Sequence, residues 1–95
     1  MSSIIEQAVT ALSDKLRGAS FDGSAKFTIE DEGSLIIDTS GVRAGDDETE
    51  VTLIAAADVF KDILAGDLDP TSAFMSGKLR VEGDMGTAMR LSSIF

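Results

Sequence analysis

The chain contains no Cys, His, Tyr or Trp, and a single Pro. Without His or Cys, neither a Ser-His nor a Cys-His nucleophile pair can be assembled, and imidazole or thiolate zinc sites are excluded. Lack of Cys also removes any disulfide framework. Cations are scarce: eight Lys and Arg face seventeen Asp and Glu, for a net charge of −9. That balance opposes nucleic-acid binding, which needs cations to displace the phosphate counterions. It equally opposes strong docking on anionic lipid surfaces. No apolar run reaches the ~18 residues of a membrane span, and the N-terminus lacks a basic stretch followed by an apolar one. Stable membrane insertion is therefore not expected, and a cytoplasmic location is.

Ninety-five residues suffice for one domain, 1–95, and leave no room for a second core. Ile5, Val9, Leu12 and Leu16 step by helical intervals and, with Ala8, predict an amphipathic first helix ending at Gly18. From Phe21 the period changes to two. Phe21, Gly23, Ala25, Phe27 and Ile29 alternate with Asp22, Ser24, Lys26, Thr28 and Glu30, as in a strand with one wet face. The turn Asp31-Glu32-Gly33 leads to a second strand over 34–39, which makes an antiparallel hairpin. Val42 to Ala44 reads as a short third strand and Glu50 to Ala55 as a fourth; Asp58 then caps a helix carrying Val59, Phe60, Ile63 and Leu64 and stopped by Gly66.

The segment Asp69 to Leu91 is the densest in signals. Asp69 is an N-cap with Pro70 at the first helical position, and Gly77 ends that short helix. Leu79, Val81 and Gly83 alternate with Lys78, Arg80 and Glu82 as a strand, and Asp84 caps a last helix from Met85 to about Phe95. Strands followed by helices favour a sheet with helices on one face.

Acids crowd between Glu30 and Glu50, which reads as a solvated turn region or as a patch for a basic partner. Asp46-Asp47-Glu48 lacks the spacing of a calcium loop, and Gly83-x-x-Gly86 lacks the first glycine of a dinucleotide fingerprint, Val81 standing there. No catalytic residue, metal or cofactor is assigned, and the chain is not expected to be an enzyme.

Asp69-Pro70-Thr71-Ser72-Ala73-Phe74, Gly77-Lys78-Leu79, Gly83-Asp84-Met85-Gly86 and Ala88-Met89-Arg90-Leu91 resemble the hallmark of the sterol-carrier-protein family of small sterol-binding domains. The resemblance reaches back more loosely to Phe21. It departs at the C-terminus, where longer members continue, and Ser93-Ile94-Phe95 is not the peroxisomal address that animal members often carry. The resemblance implies an α+β domain: a five-stranded, mainly antiparallel sheet with helices packed on one face, enclosing an apolar tunnel. It implies a non-catalytic carrier for a sterol, fatty acyl or isoprenoid ligand. The alternative is an accessory module docking onto a lipid- or quinone-metabolising enzyme. A homodimer or a basic protein partner is a further option.

Phe60, Ile63, Leu64, Phe74, Met75, Met85, Ala88, Met89, Leu91 and Phe95 are expected to face the sheet and line the lipid site. The same residues at helical spacing also suit an ordinary core. Unbranched thioethers repack around different apolar shapes, which favours a pocket. The last helix, short and terminal, is expected to act as a gate.

Overall fold

A computed structural model describes residues 3–16 and 21–92, so the expected stop at Gly18 and the site residue Phe95 lie outside the described residues. In chain order the elements are α1 (Ser3–Lys15), β1 (Ala25–Ile29), β2 (Gly33–Asp38), β3 (Gly41–Ala44), β4 (Val51–Ala55), α2 (Ala57–Ala65), α3 (Pro70–Met75), β5 (Leu79–Gly83) and α4 (Met85–Ser92). The five strands form one sheet in the order β3-β2-β1-β4-β5.

Three of the four pairings are antiparallel; β1 and β4 run parallel at the centre, Phe27 opposite Leu53. The β2–β3 meander occupies one edge of β1, which leaves the other edge for β4. Alternation fixes which face is buried. Ala25, Phe27 and Ile29 share a face with Leu35 and Ile37, with Val51, Leu53 and Ala55, and with Leu79 and Val81. The helices cover this face. Ile5, Ala8 and Leu12 come from α1, Phe60 and Ile63 from α2, Ala73 from α3, and Ala88 and Leu91 from α4. Phe60 meets Phe27 edge to face at 4.9 Å between ring centres, a favoured aromatic geometry.

The opposite face is wet except at Ile36, which is buried although it points away from the helices. The connection from β3 to β4 explains it. A Cβ on Gly45 would lie 3.3 Å from Ile36 Cγ1, and Asp46 reaches Lys26 Nζ at 2.9 Å on that same face. Arg43 holds both Asp38, at 2.7 Å, and Asp47, at 3.6 Å. The acidic segment is thus a strap across the outer face, with its carboxylates partly engaged.

Two expectations need correction. The first strand begins at Ala25, not Phe21, because Gly23 adopts φ +140 and interrupts the extended run. Asp58 does not cap α2: the N-cap is Ala56, with no side-chain hydrogen bond, and Asp58 sits in the first turn, where its charge suits the positive helix end.

Candidate functional site

The C-terminal third builds a groove beside the β5 edge of the sheet. Asp69 caps α3, its Oδ2 accepting the Ser72 N–H at 3.1 Å, and Pro70 follows at the first helical position. The helix lasts only six residues. Ala73 is the one side chain of α3 that is fully buried, so this helix turns only a small face toward the core. The Lys78 N–H closes its end on the Ala73 carbonyl at 2.9 Å.

The chain then enters β5 and reverses at Gly83, whose φ is +105. A Cβ there would lie 2.5 Å from the Glu50 carbonyl oxygen, so only glycine fits so close to the start of β4. The Asp84 N–H donates to that carbonyl at 2.9 Å. Asp84 in turn caps α4: its Oδ1 accepts the Gly86 N–H at 3.1 Å, and its Oδ2 accepts the Thr87 hydroxyl at 2.6 Å. The Thr87 hydroxyl also lies 2.9 Å from Glu50 Oε1 and accepts from Arg90 Nη2 at 3.1 Å. The Thr87 hydroxyl, then the Gly86 N–H, hold the Asp84 carboxyl below its ordinary value of 3.8. Thr87 is fully buried yet satisfied, so a polar knot ties the start of α4 to β4.

Between α3 and α4 lies a groove of about 280 Å³, lined by Leu53, Pro70, Thr71, Phe74, Met75, Leu79, Val81, Met85, Ala88 and Met89. Its floor is the core face of β4 and β5, where Leu53 pairs with Val81. None of the lining side chains is ionisable, so the arrangement can hold an apolar molecule. Among the described residues the exposed large hydrophobic side chains are Met75 (81%), Met89 (71%), Met85 (46%) and Phe74 (42%), and all four line this groove. Its mouth is therefore open to solvent, so a groove rather than a closed tunnel is what the described residues form.

The expected site residues divide accordingly. Phe74, Met75, Met85, Ala88 and Met89 come together here. Met75 and Met89 do not face the sheet as expected, because a helix of six residues and one of eight each turn only a small buried face inward. Phe60, Ile63 and Leu91 are core, packed under the sheet and away from the groove. Phe60 and Leu64 also border a separate crevice of about 360 Å³ between α1 and α2. Pro70, Thr71, Leu53, Leu79 and Val81 line the groove without having been anticipated. The three strand residues carried a signal: they lie on the buried face of β4 and the edge strand β5, which the C-terminal helices cover.

An apolar, non-ionisable groove between a five-stranded α+β sheet and short helices defines a lipid-binding type of domain. The chain belongs to the SCP-2 sterol transfer family, whose model matches residues 4–95. Its fold is similar to that of sterol carrier protein 2 like 2 from Aedes aegypti, with a TM-score of 0.83 and 17% identity over 98% of this chain and 97% of that one. It is also similar to Aedes aegypti sterol carrier protein-2, solved as a complex with the C16 fatty acid palmitate, with a TM-score of 0.77 and 20% identity over 98% and 94% of the two chains. In sequence it is 42% identical over 59 residues to hydroxysteroid dehydrogenase-like protein 2 of Xenopus laevis, a match spanning 60% of this chain but only 14% of that protein. No helix among the described residues is long and apolar enough to cross a membrane.

Proposed function

We propose that this protein is a non-catalytic lipid carrier that holds a single acyl chain in the groove between α3 and α4. One observation carries the reading: the four exposed large hydrophobic side chains converge on one non-ionisable groove. Exposed apolar surface gathered in this way marks an interaction site. Phe74, Met75, Met85, Ala88 and Met89 form the walls, and Leu53, Leu79 and Val81 the floor. A volume of about 280 Å³ is close to the lower end of small-molecule sites, roughly 300–1,000 Å³. A flexible chain can lie along such a groove, whereas a rigid sterol would require the helices to part. The palmitate complex of a protein with this fold supports the same preference.

Binding of a fluorescent long-chain acyl probe, displaced by a panel of fatty acids, a sterol and an isoprenoid alcohol, tests the proposal. Fatty acids should displace the probe at lower concentration than the sterol. Failure of every member of the panel to bind would refute the carrier reading. A second reading is favoured by the dehydrogenase-like relative, in which the matched region is a small part of a long chain. There the domain would present its lipid to an enzyme. Native mass spectrometry of protein from its host separates the two: a bound lipid alone supports the carrier, and a stable enzyme partner supports presentation.

A further inference from the structure

The absence of Cys, Trp, Tyr and His leaves methionine thioethers as the readily oxidised side chains of this protein. Three of its four methionines, Met75, Met85 and Met89, line the α3–α4 groove, and the fourth, Met1, lies outside the described residues. Met75 and Met89 are the two most exposed of the large hydrophobic side chains on the rim. Both side chains are thus open to a small oxidant in water while belonging to the surface that an apolar ligand would touch.

We propose that Met75 and Met89 form an oxidation-sensitive lip, at which a peroxide converts thioether to sulfoxide and thereby weakens retention of the apolar ligand. The inference rests on the carrier reading above. In the chemical step a sulfur lone pair attacks one peroxide oxygen, the O–O bond breaks, a sulfur–oxygen bond forms, and water leaves. Sulfur is oxidised by two electrons and the peroxide is reduced by two. The product replaces a flexible apolar side chain by a polar one. The lining offers a single side-chain donor, the Thr71 hydroxyl, so of two sulfoxide oxygens that lose water to an acyl chain at least one is left without a side-chain donor. Met85 is less exposed and should react more slowly. Methionine sulfoxide reductases reverse the chemistry, one enzyme for each sulfoxide epimer.

The test treats the whole protein with graded hydrogen peroxide, maps oxygen incorporation by peptide mass spectrometry, and measures the Kd of a fluorescent acyl probe before and after. Oxygen should appear on Met75 and Met89 before Met85. The ratio of Kd after to Kd before should be roughly ten, as expected for one unpaired polar oxygen set against an apolar chain. Treatment with both reductases should return the ratio to near one. In a Met75→Leu, Met89→Leu double variant the ratio, whatever its starting Kd, should stay near one. Oxidation at Met85 first, an unchanged Kd once Met75 and Met89 carry oxygen, or the same ratio in the double variant would each overturn the inference. Those three results leave the carrier reading standing. An untreated protein that binds no probe refutes the carrier reading, and the lip then has nothing to release.

Discussion

Replacing Gly83 by Ala should be among the most damaging single-methyl changes available to this fold. Two penalties coincide at this position. The backbone sits at φ +105, which a side chain adopts only under strain, at a cost of about 1–3 kcal/mol. The added Cβ would also lie 2.5 Å from the Glu50 carbonyl oxygen and 3.1 Å from the Val51 Cα. Both obstacles are backbone and cannot rotate away, so overpacking adds about 1–3 kcal/mol. Together they amount to about 2–6 kcal/mol against a total stability of about 5–15 kcal/mol for a domain. At about 4–8 °C per kcal/mol for a chain of this size, Tm should fall by at least ~8 °C. Thermal unfolding followed by far-ultraviolet circular dichroism is the assay, since the chain has no Trp or Tyr to report by fluorescence. Gly77→Ala is the control: φ is +82, yet nothing lies within 4 Å of its would-be Cβ. That variant should lose only the left-handed strain of about 1–2 kcal/mol. Equal losses in the two variants would refute the argument, because the contact with β4 would then count for nothing.

Three more expectations separate core from groove and cap from surface. Phe60→Ala should cost about 3–5 kcal/mol in unfolding free energy, since it empties a buried site against Phe27; Phe74→Ala should cost less than about 1 kcal/mol yet weaken an acyl probe roughly fivefold. The reverse pattern would move the site away from α3. Asp69→Ala should destabilise by about 1 kcal/mol through loss of the bond to the Ser72 N–H, and Asp69→Asn should restore most of it. Asp84 and Asp38 both titrate below 3.8, held by Thr87 and by Arg43 first, so their stabilisation is present above that value. It is lost as pH falls through the lowered folded values. Unfolding midpoints measured from pH 5 to about 2 should drop below about pH 4, less steeply in Asp84→Asn; a flat profile in the wild type contradicts the knot at α4.

Local signals were legible where one residue type dictates one geometry. Asp69-Pro70 and Asp84 cap the helices they were expected to cap, and the Asp31-Glu32-Gly33 turn joins β1 to β2. The period of two marked the buried face of β1 at Ala25, Phe27 and Ile29. The parallel pairing of β1 with β4 was not legible, because alternation states which face is buried and not which strand lies alongside. One clue stood in plain view. Leu35-Ile36-Ile37 breaks the alternation, and such an unbroken apolar run indicates cover on both faces. The strap bearing Gly45 and Asp46 supplies that cover. Asp58 misled because an acid at the cap and an acid two residues later look alike in sequence, and both suit a helix start. At the site, helical spacing singled out apolar residues without telling Phe60, packed on Phe27, from Phe74, turned toward water. That difference is set by the length of each helix and by how far it stands off the sheet.

The open mouth resolves a tension that a closed tunnel would create. A sealed dry void of about 280 Å³, at roughly 24 cal/mol per Å³, would cost about 7 kcal/mol. That equals much of the stability a domain possesses. An open groove lets water in and avoids this void term, at the expense of leaving Met75, Met85, Met89 and Phe74 partly wet. The wet apolar rim then becomes the driving force for binding, at about 25 cal/mol per Å² removed from water. The polar knot of Asp84, Thr87 and Glu50 makes the arrangement durable. It fixes the start of α4 on β4, so the groove wall stays in place when the groove is empty.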